Sequence, residues 1–137
     1  MSGMIIGTAA YMSPEQANGR SVDRRTDIFA FGCVLFEMLS GDPAFHGEDV
    51  TEILCRVVTA EPDWSKLPPG LPPAIQRLVR RALKKDVRQR LGDIHDVKLD
   101  IEGAVNAPPR PGEAKDSTIG KKRGASAWPS VQPRYSV

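Results

Sequence analysis

Apolar positions recur along this chain at helical spacing, and they predict a small set of helices. Thr26 to Leu39 is apolar at nearly every position, which predicts a helix buried on all sides. Thr26 or Asp27 is placed to satisfy its first amides, Asp27 suits the positive end of its dipole, and Ser40-Gly41 with Pro43 beyond supplies a stop. Val50, Ile53, Leu54, Val57 and Val58 form one stripe behind Asp49, with Glu52 in a capping-box position. Ile75, Leu78, Val79, Ala82 and Leu83 repeat that spacing behind Pro72-Pro73, and the polar side carries Arg77, Arg80, Arg81, Lys84 and Lys85. A last helix is expected from Asp93, with Ile94, Val97, Ile101, Ala104 and Val105 inward.

Shorter signals occupy the intervals. Ser13-Pro14-Glu15-Gln16 reads as a capped helix start, and Asn18-Gly19 turns the chain soon after. The proline-rich stretch from Glu61 to Pro73 is loop, with Trp64 as a plug sealing it. No segment alternates with a period of two. The fold class is therefore all-α: a buried central helix plus three peripheral helices.

Composition changes near Pro108 and divides the chain. Residues 1–107 carry 13 basic and 15 acidic side chains, whereas 108–137 carry 6 and 2, so the overall charge of +2 belongs to the C-terminal part. We expect one partial domain over residues 1–106 and a disordered Pro/Gly/basic tail over 107–137. A body so nearly neutral has no electrostatic reason to bind nucleic acid or an anionic membrane, and the Lys121-Lys122-Arg123 cluster is too short to change that. The longest apolar run, Ile28 to Phe36, is under half the roughly 20 residues a membrane span needs. Together with an N-terminus lacking a basic leader, this predicts a cytoplasmic protein. Cys33 and Cys55 are isolated, and with only His46 and His95 as nitrogen donors they predict packed, reduced thiols and no metal site.

Three motifs stand in order along the body. Gly7-Thr8-Ala9-Ala10-Tyr11-Met12-Ser13-Pro14-Glu15 resembles the end of a protein kinase activation segment, with Ser13 where alanine is common. Asp27-Ile28-Phe29-Ala30-Phe31-Gly32 resembles that family's Asp-x-Trp-Ser-x-Gly, with Phe29 and Ala30 replacing Trp and Ser. Arg88-Gln89-Arg90-Leu91 resembles its closing Arg motif. Singly these are weak signals; in this order and at these separations they resemble the C-terminal lobe of a bacterial eukaryotic-type Ser/Thr protein kinase, over roughly Met4 to Val105.

The resemblance implies roles. Glu15 and Arg90 should meet as a buried structural ion pair, where the planar guanidinium suits a carboxylate better than lysine would. Gly7, Thr8, Ala9, Ala10 and Tyr11 would bind the protein substrate, receiving the residue after the phosphorylated one, and Thr8 favours Ser/Thr over Tyr. Asp27 would anchor a catalytic loop that these residues do not include, and in its absence would act as a helix cap. The helix from Asp49 to Val58 would offer a docking surface.

The kinase reaction also needs a Gly-rich loop, a Lys–Glu pair, a base aspartate, and an Asn and an Asp for metals. None of these motifs occurs in the 137 residues, and His95-Asp96-Val97-Lys98, which lacks an arginine after the histidine, reads as helix surface. No catalytic, cofactor-binding or metal residue is therefore expected here; ATP and Mg²⁺ are implied for the full domain only. The expected function is that of a Ser/Thr kinase family member present as an inactive C-lobe fragment. Its partners would be a protein substrate or protein partner, or a complementing kinase fragment. The alternatives are a non-catalytic interaction module and a truncated product with no separate function. A fragment of this kind should also expose part of its apolar helix.

Overall fold

The computed structural model describes residues 7–108. The chain divides into two units, 1–107 and 108–137, and the first is built from helices, with no strand among the described residues. In order these are α1 (Pro14–Ala17), α2 (Arg25–Ser40), α3 (Val50–Thr59), a 3-10 turn (Trp64–Lys66), α4 (Pro73–Ala82) and α5 (Ile94–Val105); residues 7–9 are helical as well. The expected tail from residue 109 onward, with Lys121-Lys122-Arg123, lies outside the described residues.

Local chemistry sets the helix ends. At α1, Ser13 Oγ accepts from the Gln16 amide while Gln16 Oε1 accepts from the Ser13 amide, a full capping box with Pro14 at the first position. Helix α2 ends at Gly41, whose φ of 80° lies in the left-handed region that glycine enters without strain. Its start differs from expectation. It begins at Arg25, and Asp23 Oδ1, not Thr26 or Asp27, accepts from an early amide, that of Arg25 at 2.8 Å. Thr26 is buried and its hydroxyl instead accepts from Ser13 Oγ. At α3, Asp49 accepts from the Glu52 amide, but the Glu52 carboxylate reaches back to the amide of Glu48, one residue before the position a capping box uses.

Helix α2 joins two apolar clusters. Phe29, Cys33 and Phe36 pack with Phe45, Ile53, Val57, Val79 and Leu83. Ile28 packs with Leu78, Ala82, Leu91 and Val97. Helix α4 lies against both α2 and α5, and α1 against α3. The α2–α4 crossing is tight: a Cβ at Gly32 would stand 2.9 Å from that of Ala82.

The expectation that α2 is buried on all sides fails on one face, and that face agrees with the expectation that a fragment of this kind exposes part of its apolar helix. Val34 is 44% exposed and Met38 68% exposed, and nothing among the described residues covers them. On α5 only the middle of the expected stripe is inward, with Val97 buried and Ile101 and Ala104 half-buried, while Ile94 and Val105 at its two ends are exposed. Cys55 is exposed because it falls two residues from both Ile53 and Val57, on the far side of α3. Trp64 meets Phe36 edge-on at 5.8 Å and lies under the Arg80 guanidinium, so it does seal the loop between α3 and α4.

Candidate functional site

Two constellations carry the chemistry of this unit. In the first, Arg90 reaches back to Glu15 across 75 residues: Nη1 donates to Oε2 at 2.8 Å and Nη2 to Oε1 at 3.0 Å. The remaining donors go to backbone carbonyls, Nε to Lys84, Nη1 to Arg25 and Nη2 to Lys85. Five donors thus meet five acceptors, which is what a guanidinium enclosed with 0% side-chain exposure requires. The Phe29 ring lies 5.0 Å from the Arg90 Cζ and covers its face. Burial opposes ionisation of Glu15, but the hydrogen bonds and charge of Arg90 outweigh it and hold the carboxyl below its ordinary value. Arg25 adds a bond to the Val87 carbonyl and Arg24 one to Gly92, so the start of α2 is fastened to the same turn.

The second constellation is a cleft. Gly7, Ala10 and Tyr11 form one side; Pro43, Phe45, His46 and Gly47 from the loop after α2, with Ile53 of α3, form the other. Backbone bonds from the Tyr11 amide to the Thr8 carbonyl and from Met12 to Ala9 give this segment a turned shape. Tyr11 is fixed further by its hydroxyl, which donates to Glu37 Oε2 at 2.5 Å, in the range of a charge-assisted bond. That bond and burial raise the Tyr11 pKa to about 12.

Of the five residues expected to bind substrate, Gly7, Ala10 and Tyr11 line this cleft. Ala9 does not, being buried in the larger apolar cluster, and Thr8 is exposed outside the lining. Asp27 is exposed in the first turn of α2 and borders a separate depression with Arg24, Ile28, Asp93 and Ile94. Its side chain caps no amide of the helix. His95, Asp96 and Lys98 are exposed on α5.

Three contributors went unread in the sequence. Glu37 could have been suspected, as the one acid of the apolar helix beyond its first turn. The loop from Pro43 to Gly47 carried no signal beyond its turn residues. Lys85, expected on a solvated stripe, turns inward because α4 ends at Ala82 and helical spacing no longer governs position 85. It donates to the Val57 carbonyl.

The described residues supply no set of groups that fits ATP or Mg²⁺. No group of three or more His, Cys, Asp or Glu among the described residues could hold a metal ion, and no Gly-rich phosphate loop occurs in the sequence. Among the described residues no helix is long and apolar enough to cross a membrane.

Comparison with known proteins gives a consistent picture. The family described as protein kinase domain matches residues 2–101. A probable serine/threonine-protein kinase of Streptomyces coelicolor is 35% identical over 134 residues, 97% of this chain and 20% of its own. The probable serine/threonine-protein kinase PknB of Bifidobacterium longum is 41% identical over 104 residues, 74% of this chain and 15% of its own. The serine/threonine-protein kinase PknB of Mycobacterium tuberculosis is 36% identical over 110 residues, 77% of this chain and 17% of its own. This chain spans a fifth or less of the length of these relatives.

Proposed function

The chain belongs to the protein kinase domain family, and from that premise we propose that residues 1–106 are the substrate-holding C-terminal part of a Ser/Thr protein kinase. The family reaction moves the γ-phosphoryl group of ATP to a protein hydroxyl, with ADP leaving. These 137 residues contribute to it by positioning, since they supply neither a base for the hydroxyl nor donors for the nucleotide. The cleft at Gly7, Ala10 and Tyr11 receives the residue after the phosphorylated Ser or Thr. Thr8, beside it, favours hydroxyls of Ser and Thr over Tyr. Asp27, exposed in the first turn of α2, anchors the catalytic loop when the rest of a kinase domain is present. The single observation that carries the reading is the bidentate Glu15–Arg90 pair, which fastens α1, directly after the cleft-forming segment, to the turn before α5.

The test is direct. The purified chain, given ATP, Mg²⁺ and a Ser/Thr peptide, is expected to transfer no phosphate. Mixed with a complementing kinase fragment that carries the nucleotide-binding and base motifs, it is expected to gain transfer. Phosphorylation by the chain alone would overturn the reading. The exposed apolar face of Val34 and Met38 supports such a fragment as a partner. Free Cys33 and Cys55 fit a reducing, cytoplasmic setting.

A second reading is favoured by the cleft itself, whose walls all come from this chain. As a kinase-derived interaction module, it would hold a partner protein at residues 7–11, or along α3 at Asp49 to Val58, without chemistry. Peptide binding that persists while complementation yields no transfer would select this reading.

A further inference from the structure

The far walls of the cleft, Phe45 and Ile53, are held from behind by a residue outside it. Lys85 follows the end of α4, and its ammonium donates to the Val57 carbonyl in the last turn of α3, with a longer 3.5 Å contact to the Arg56 carbonyl. The same nitrogen lies 4.0 Å from the centre of the Phe45 ring and 5.8 Å from that of Phe29. Those two rings stack at 5.9 Å. Ile53 stands one helical turn before Val57 on the buried face of α3. One cation therefore bridges the loop wall and the helix wall.

We infer that Lys85 is a positioning residue of the candidate substrate cleft: its ammonium fastens the Phe45 wall to the end of α3, and so sets the cleft's fit to an apolar side chain. The inference rests on the reading that this cleft receives substrate. The chemistry asks for a cation with donors at this point. A positive group suits the carbonyl end of a helix and the face of an aromatic ring, and its N–H satisfies a carbonyl the helix leaves unpaired. A lysine serving only as packing would carry its charge out along its flexible stem. Here the ammonium stays half-buried, and loss of water lowers its pKa to about 8, with Glu61 and Cys33 acting to raise it and Arg90 to lower it further.

Two variants of the full chain test this. Lys85→Met keeps the length and removes charge and donors; Lys85→Arg keeps both. The probes are two fluorescein-labelled peptides that differ only in Leu or Gly after the acceptor Ser, read by anisotropy. The wild type is expected to prefer the Leu peptide about tenfold, Lys85→Arg to keep most of that preference, and Lys85→Met to lose it. Stability alone would not change the Leu-to-Gly ratio. Amide exchange at residues 44–47, faster in Lys85→Met and near wild type in Lys85→Arg, is the second readout. A wild-type ratio in Lys85→Met, or a Lys85→Arg variant that loses the ratio as fully, overturns the inference. If the wild type binds neither peptide, the substrate reading fails and exchange alone decides: unchanged protection in Lys85→Met then overturns the fastening. If Lys85→Met does not fold, Lys85→Gln, which drops the charge and keeps a donor, takes its place: a reduced Leu-to-Gly ratio supports the inference and a wild-type ratio overturns it.

Discussion

The turn around Arg90 and the outer face of α2 show two opposite conditions of packing in one small unit. At Arg90 a charge is fully enclosed, and every N–H has found an acceptor within this chain. On the outer face of α2, Val34 and Met38 are apolar and exposed, with Ile94 and Leu99 exposed on α5. The first region costs desolvation and recovers it through geometry; the second leaves hydrophobic area in water that another surface could cover. A chain can thus complete its most demanding polar contact and still present an unfinished apolar side. That contrast is why we assign the unit a holding role and expect it to work with a complementary surface.

The sharpest way to break the contrast is to remove the cation. Arg90→Met strands the Glu15 carboxylate in a buried site and leaves three backbone carbonyls short of a donor. The expected loss is about 3–5 kcal/mol of unfolding free energy by urea titration. A change under about 1 kcal/mol would mean that the pair is incidental. Gly32→Ala is next, since its Cβ would stand 2.9 Å from the Ala82 Cβ, with Leu83 nearly as close. Overpacking at the α2–α4 crossing is expected to cost about 1–3 kcal/mol, read as a lower thermal midpoint.

Acid provides a gentler probe. The Glu15 carboxyl titrates lower in the fold than in the unfolded chain. Its contribution is therefore fully present above the unfolded value of about 4.3, and it is lost as pH falls through the depressed folded value. Glu15→Gln should flatten that part of the acid limb; an unchanged limb would place the acid sensitivity elsewhere. The smallest effect is expected on the open face. Met38→Lys should alter unfolding free energy by no more than about 0.5 kcal/mol, because that side chain gives up little contact, yet it should reduce self-association in gel filtration. A large destabilisation would show that the face is packed after all.

How far these regions could be read in the sequence follows from what each depends on. The helices were legible because stripes such as Val50, Ile53, Leu54, Val57 and Val58 state their spacing locally, and the Ser13–Gln16 box is a contact between near neighbours. The approach of Glu15 to Arg90 has no local signature. It became legible only through two motifs whose order resembles a kinase lobe. Asp27 is not the cap its position suggests, because Asp23, four residues earlier, takes the Arg25 amide. Lys85 departs from the solvated stripe because the helix ends at Ala82 and its spacing does not carry on to position 85. The open face of α2 could not be read at all from its own residues: Val34 and Met38 are as apolar as their buried neighbours, and only tertiary packing separates them.

The most direct test of the account is a double-mutant cycle on Glu15 and Arg90, using Glu15→Ala, Arg90→Ala and the double variant, with unfolding free energies by urea titration. A coupling of about 2–3 kcal/mol is expected, because each single change leaves the other charge buried without its counter-charge. A coupling below about 0.5 kcal/mol would show that the two groups do not depend on each other, and would contradict the claim that this pair holds the cleft-forming segment in place.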